Sequence, residues 1–322
     1  MSPRTPAPAT PAPRPAAPTT GRPTGTNRPT TDTAPAARST GTTRATATRP
    51  TGPDRTATSP ADDYARFCAG IRRTCGIDLE QYKRAQMERR IRTFAERRGE
   101  PDLGRYLKRL QDDATELDAF LDRITINVSQ LWRNPEQWDV IAKRILPELA
   151  PTGTVRAWSA GCSYGAEAYT LASLMARHAE LHGPFRAEVR GTDIDARMVE
   201  RAREGRFSAA DARDAPNAEL RRHFVPETGG GWRASPELRR TTRFVVGDLL
   251  RGTAPREGFD LVLCRNTVIY FNEDVRDALH ARLAAALRPG GFLVIGATER
   301  VAQPAALGLR SVQPFTYQKT EA

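Results

Sequence analysis

The sequence predicts an α/β fold: a Rossmann-like parallel sheet covered on both faces, with a small N-terminal helical domain and a small antiparallel β insertion. Three observations lead there. From residue 154 onward, apolar runs of strand length alternate with amphipathic helical stretches, the pattern of a sheet buried on both sides. Over 62–149 the apolar residues recur at helical spacing instead. Over 205–242 the alternation breaks, and Gly229-Gly230-Gly231 between Phe224-Val225 and Trp232 reads as a small antiparallel insertion or, equally from pattern alone, a loose surface loop. The expected division is a tail over 1–60, a helical domain over 61–149 and a sheet domain over 150–322 that carries the insertion.

The tail holds 13 of the chain's 25 prolines and neither aromatic residues nor lysine. Such a stretch buries too little apolar surface to offset its chain entropy, so disorder is expected. Its eight arginines against Asp32 and Asp54 give +6, leaving +5 of the formal +11 for the remainder. The composition is that of an organelle transit peptide, but its prolines oppose the required amphipathic helix. No apolar run is long enough for a signal peptide core or a membrane span. Cys68, Cys75, Cys162 and Cys264 form no C-x-x-C pair, so free thiols in a reducing cytoplasm are expected, and no metal cage. His178 and His182, four apart, read as a surface pair.

In the helical domain, Leu79, Met87, Ile91 and Phe94, then Tyr106, Leu107 and Leu110, then Leu117, Phe120, Leu121 and Ile124 form the apolar stripes of a bundle. Gly99-Glu100-Pro101 and Pro147 are its breaks. The helix "LEQYKRAQMERRIRTFAERRG" carries seven basic residues against three acidic ones, and Lys83, Arg90 and Arg97 share a face. That face is either simply solvated or a dock for something acidic. Without interleaved aromatic residues to stack on bases, a protein partner fits at least as well as nucleic acid.

In the sheet domain the expected order is strand "VRAWSAG", helix 166–180, strand "AEVRGTDID", helix 196–204, the insertion, strands "RFVVGDLL" and "FDLVLCRNTVIYF", helix 273–287, and strands "GGFLVIGATE" and "VQPFTYQK". Ligands of such sheets bind beyond the strands' C-terminal ends. There the first strand meets Gly161 and Gly165, a turn expected to leave backbone N–H groups uncovered at a helix N-terminus. Its spacing is wrong for the dinucleotide pattern, which needs glycine at Ser163 and Ala166. Asp193 ends the second strand, placed to accept from ribose hydroxyls or, like Asp195, to cap a helix. Asp248 ends the third and could accept from an adenine amino group. Asn266 and Thr267 end the fourth, beside Tyr270, and "LRPGG" precedes the fifth.

Five blocks taken in order resemble one family. "ITINVSQLWRNPEQW", "WSAGCSYGAEAYTLA", "GTDID", "FDLVLCRNTVIYF" and "LRPGGFLVIGATE" are similar to the successive motifs of the CheR family of chemotaxis receptor methyltransferases, which are protein-glutamate O-methyltransferases. The resemblance implies S-adenosyl-L-methionine held by Asn127, Ser129, Arg133, Glu167, Asp193, Asp248, Leu249, Asn266 and Thr267. It implies methyl esters formed on chemoreceptor glutamates, docking of the basic helix on acidic receptor helices, a β insertion that serves as a second dock, and a cytoplasmic enzyme without membrane insertion or nucleic-acid partner. Ser129, Leu131, Trp132, Ala166, Ala168, Asp248 and Thr267 depart from the family pattern. They leave room for another acidic protein substrate, or for a non-catalytic module that binds the cofactor or docks on a signalling partner.

The chemistry asks little of the side chains. A glutamate is ionised at neutral pH, its pKa being about 4.3, so its methylation needs alignment and no general base. Arg133 is the expected holder of the incoming carboxylate, with Tyr270 second. A nicotinamide oxidoreductase would need the phosphate-binding glycine pattern. A nucleic-acid methyltransferase would be expected to show an Asn-Pro-Pro-Tyr-like element where this chain has "RNTVIYF".

Overall fold

In the computed structural model the described residues are 60–125, 129–251 and 258–320. The tail expected over 1–60 falls outside them except for Pro60, and Asn127 falls outside them as well.

Four helices make the bundle: α1 (Pro60–Cys75), α2 (Arg84–Arg97), α3 (Leu103–Asp112) and α4 (Ala114–Ile124). Side chains start two of them, Asp102 accepting from Arg105 N and Asp113 from Thr115 N and Glu116 N. Phe67, Tyr106 and Phe120 pack together in the bundle's own core with Ile91, Leu103 and Ile124. Glu116 is buried there, accepting from Tyr106 Oη (3.0 Å), Arg109 Nη2 (3.1 Å) and Arg98. The basic stretch 79–99 is not one continuous helix. A 3₁₀ turn at Leu79–Gln81 ends at Tyr82, whose extended backbone pairs with Phe271, and Lys83 stands before α2 at its N-cap.

The bundle also stops earlier than the spacing suggests. α5 (Pro135–Val140), a π-helical stretch at Ile141–Ile145 and α6 (Leu146–Leu149) bury Trp138, Ile141, Ile145 and Leu149 against the sheet. A helical period cannot reveal which core it faces, so 131–149 reads as bundle in sequence and packs with the sheet in space.

The sheet domain runs β1 (Thr154–Ala160), α7 (Ala166–His182), β2 (Arg186–Asp193), α8 (Ala196–Glu204), β3 (Arg206–Phe207), α9 (Asn217–His223), β4 (Phe224–Pro226), β5 (Trp232–Ala234), α10 (Pro236–Thr241), β6 (Thr242–Val246), β7 (Phe259–Cys264), α11 (Glu273–Ala286), β8 (Leu287–Ile295), β9 (Leu309–Gln313) and β10 (Thr316–Lys319). Seven strands form one sheet in the order β6-β2-β1-β7-β8-β10-β9, parallel from β6 to β8. All six residues of β7 are buried, as a strand covered on both faces requires. The strand order reverses between β1 and β7, which opens the crevice above their C-terminal ends.

Two expectations need correction here. "VQPFTYQK" is not one strand. Pro314 cannot continue a ladder and Phe315 takes a φ of 61°, so the chain turns between β9 and β10, and β10 runs antiparallel to both β8 and β9. His178 is buried, its ring 4.5 Å from that of His182, rather than a surface group.

The insertion is a three-stranded antiparallel sheet in the order β3-β5-β4, turned by Gly229 and Gly230, and it includes α9 and α10, which the pattern did not reveal. Phe207 and Phe224 root it in the main core against Tyr169 and Trp132. Among the described residues no helix is long and apolar enough to cross a membrane.

Candidate functional site

The turn after β1 commits four of its amides, while α7 starts after Gly165 without a side-chain cap. Gly161 and Cys162 both donate to Thr192 O (2.8 and 3.0 Å), Ser163 N donates to Asp193 Oδ2 (2.7 Å), and Gly165 N to Cys162 O (2.9 Å). These four amides are committed to acceptors at the end of β2 and within the turn, so they do not form an open anion cradle. The glycines instead permit close approach. Gly161 has a φ of 81°, and a Cβ there would lie 2.6 Å from Thr267 Oγ1.

Above this turn lies a cavity of about 440 Å³, within the usual range for a small-molecule site. Nine of the ten residues expected at the site are described: Ser129, Arg133, Glu167, Asp193, Asp248, Leu249, Asn266, Thr267 and Tyr270. All nine line this one space. The bundle supplies another wall with Ile77, Asp78 and Tyr82. Asp78, nearly buried, ties the two parts together by accepting from Arg251 Nη2 (2.7 Å) beside an ion pair with Arg72. Lys83 N donates to Tyr270 O (2.9 Å), and Asn272 N to Gln81 O (3.0 Å).

The carboxylates of the cavity sit in contrasting surroundings. Glu167, in the first turn of α7, accepts from Ser159 Oγ (2.7 Å) and pairs with Arg265 Nη1 (3.4 Å). Burial pushes its pKa up, against the opposing charges of Arg265 and Arg133. Asp193 likewise has its pKa raised by burial, opposed by the N–H groups of Asp195 and Ser163. The cap of α8 is Asp195, which accepts from Arg197 N and Met198 N, so Asp193 is left to shape the turn and face the cavity. Asp248 accepts from Leu250 N (2.8 Å) at the opposite side.

Arg265 lines the same cavity and was missed in the sequence, where an arginine after an apolar strand reads as a surface group. Its Nε donates to Gln137 Oε1 (2.9 Å) and its Nη2 to Arg133 O (2.6 Å), with the guanidinium 4.8 Å from the Trp138 ring centre.

Residues 62–125 match the family described as "CheR methyltransferase, all-alpha domain", and residues 127–313 match "CheR methyltransferase, SAM binding domain". The chain belongs to the CheR methyltransferase family. It is 37% identical over 260 residues to the "Chemotaxis protein methyltransferase" of Listeria innocua, covering 80% of this chain and 97% of that one. It is 31% identical over 245 residues to "Chemotaxis protein methyltransferase 1" of Pseudomonas aeruginosa, covering 74% and 89%. Over 242 residues it shares 30% identity with the "Chemotaxis protein methyltransferase" of Salmonella typhimurium, covering 73% and 83%.

The cofactor of this CheR-family chain is S-adenosylmethionine, and the cavity suits it. The ligand is a sulfonium amino acid joined to a nucleoside and has no phosphate. A turn with four amides already committed fits such a molecule better than a pyrophosphate. Glu167, Asp193 and Asp248 offer acceptors for ammonium, ribose hydroxyl and amino groups.

A second hollow of about 370 Å³ adjoins the first, sharing Tyr82 and Tyr270 with it. Lys83, Arg89, Arg90 and Arg123 line it, and among the described residues no carboxylate does. Burial, reinforced by the like charge of Arg123, pushes the pKa of Arg90 down. Cations gathered this way favour an anionic visitor.

Proposed function

We propose that this chain transfers the methyl group of S-adenosylmethionine to glutamate side-chain carboxylates of chemoreceptor proteins in the cytoplasm, forming methyl esters. The observation that carries the reading is the shared wall at Tyr270: a cofactor-sized cavity, in which Glu167, Asp193 and Asp248 stand among arginines, adjoins a basic hollow suited to an acidic polypeptide. The chemotaxis methyltransferases to which the chain is similar support it.

When bound, the cofactor supplies a methyl group made electrophilic by its sulfonium. Glu167 takes the ligand's ammonium end, Asp193 its ribose hydroxyls, and Asp248 with Leu249, Asn266 and Thr267 lines the adenine. Ser129 completes the wall near Arg133; Asn127, carried over from the family pattern, belongs to the same set. Arg133 orients the substrate carboxylate, assisted by Tyr270. The attacking oxygen is already ionised at neutral pH, so no residue has to remove a proton. An arginine held too tightly against that oxygen would blunt its attack, so Arg133 acts by direction. Alignment of this kind supplies up to about 7–11 kcal/mol.

Incubation with tritiated S-adenosylmethionine and a chemoreceptor cytoplasmic fragment is expected to give base-labile label. Base-stable label would exclude the ester. Cofactor binding without transfer to any acidic fragment would replace the enzyme with a binding module.

A further inference from the structure

Arg265 follows the six buried residues of β7, yet its own side chain is only 2% exposed. A guanidinium keeps its proton in proteins, so burial has to be met by partners on every side. Its fork reaches three elements: Gln137 on α5, the carbonyl of Arg133, and Glu167 on α7. The indole of Trp138 lies across its face.

The gripped segment is conformationally costly. Trp132 and Asn134, on either side of Arg133, have φ angles of 55° and 57°, the left-handed region that side chains disfavour. Such a backbone persists only where its surroundings over-determine it. The Arg133 carbonyl lies between the two residues and accepts from two donors, Arg265 Nη2 and Trp138 Nε1 (2.9 Å).

We propose that Arg265 is a positioning residue for methyl transfer: its one guanidinium fixes the backbone that presents Arg133 and orients the carboxylate of Glu167. The substrate end and the cofactor end of the cavity are thereby held at a set separation. This rests on the glutamate methyltransferase reading given above. Lysine keeps the charge but has no planar fork, so it cannot serve Gln137, Arg133 O and Glu167 together.

The test compares full-length wild type with Arg265→Lys and Trp138→Phe, by calorimetric titration with S-adenosylhomocysteine and by tritium transfer to a receptor fragment. Arg265→Lys is expected to weaken S-adenosylhomocysteine binding about tenfold, as for a disturbed charged hydrogen bond. Turnover at saturating cofactor should fall about a hundredfold, as for a misplaced orienting group. Trp138→Phe removes the second donor to Arg133 O and keeps an aromatic ring beside Arg265, so turnover should drop with cofactor affinity unchanged. Arg265→Lys combined with Glu167→Gln should bind no more weakly than Glu167→Gln alone. Wild-type affinity in Arg265→Lys, or penalties that simply add in the double variant, would overturn the role. If Arg265→Lys does not fold, Trp138→Phe decides, and wild-type turnover in it refutes the proposal. If wild type transfers no label, the glutamate reading fails, while the binding cycle still judges Arg265.

Discussion

Alanine at Gly161 should damage both stability and cofactor binding, and the structure separates the two causes. The first is backbone: at a φ of 81° a side chain costs about 1–2 kcal/mol. The second is contact: the new Cβ would lie 2.6 Å from Thr267 Oγ1 and 3.1 Å from its Cγ2. Turning Thr267 relieves one of these atoms and not both, because the β-branch carries a heavy atom either way. Overpacking of this size costs about 1–3 kcal/mol. Together the loss is roughly 2–5 kcal/mol, and at about 2–4 °C per kcal/mol for a domain of this size the melting temperature falls by roughly 4–20 °C. Thermal denaturation of Gly161→Ala, Thr267→Ala and the double variant is the assay, with calorimetric titration by S-adenosylhomocysteine alongside. Thr267→Ala should restore the contact part in the double variant and leave the backbone part. A Gly161→Ala protein that melts with wild type, or a double variant no better than Gly161→Ala, would refute the reasoning.

Asp193→Ala removes the acceptor for Ser163 N and Asp195 N as well as the proposed ribose contact, so calorimetry should show no measurable cofactor binding; unchanged affinity would show that the ligand lies elsewhere. Arg90→Glu in the basic hollow should raise KM for an acidic receptor fragment by about tenfold at low salt, with cofactor affinity unchanged, and added salt should narrow the gap. His280 is buried with both ring nitrogens unpartnered among the described residues, and burial pulls its pKa down to about 4. The unfolded chain takes up that proton near pH 6.5 and the folded one only near 4. Stability should therefore fall as pH drops through this window, by roughly 3 kcal/mol when complete. Melting curves at pH 7 and 4.5 check this: His280→Phe should lose less on acidification than wild type, and an equal loss in both would remove His280 from the cause.

Part of the fold and site was legible because its constraints are local in the chain. A buried strand needs consecutive apolar residues, which is why "FDLVLC" marks β7 without any partner in view. A tight strand-to-helix turn needs residues without a Cβ, which marks Gly161 and Gly165. Residues that end successive parallel strands must share one rim, so Asp193, Asp248 and Asn266 could be grouped from order alone. The family resemblance added Ser129 and Arg133, whose segment carries no periodic signal. The basic stretch 79–99, by contrast, reads as one helix, because charge spacing says nothing of the break at Tyr82.

The sequence by itself determined the alternation of strands and helices, the glycine turn and the acidic rim, all of which follow from backbone geometry and side-chain period. Only the tertiary structure decided what each polar group faces. Asp78 meets Arg251 across 173 residues, and Arg265 meets Gln137 across 128. The turn amides go to Thr192 and Asp193, and helices 135–149 choose the sheet over the bundle. The reason is physical: a buried charge or amide is satisfied by whatever partner the packing brings within about 3 Å, and that choice belongs to the folded chain as a whole.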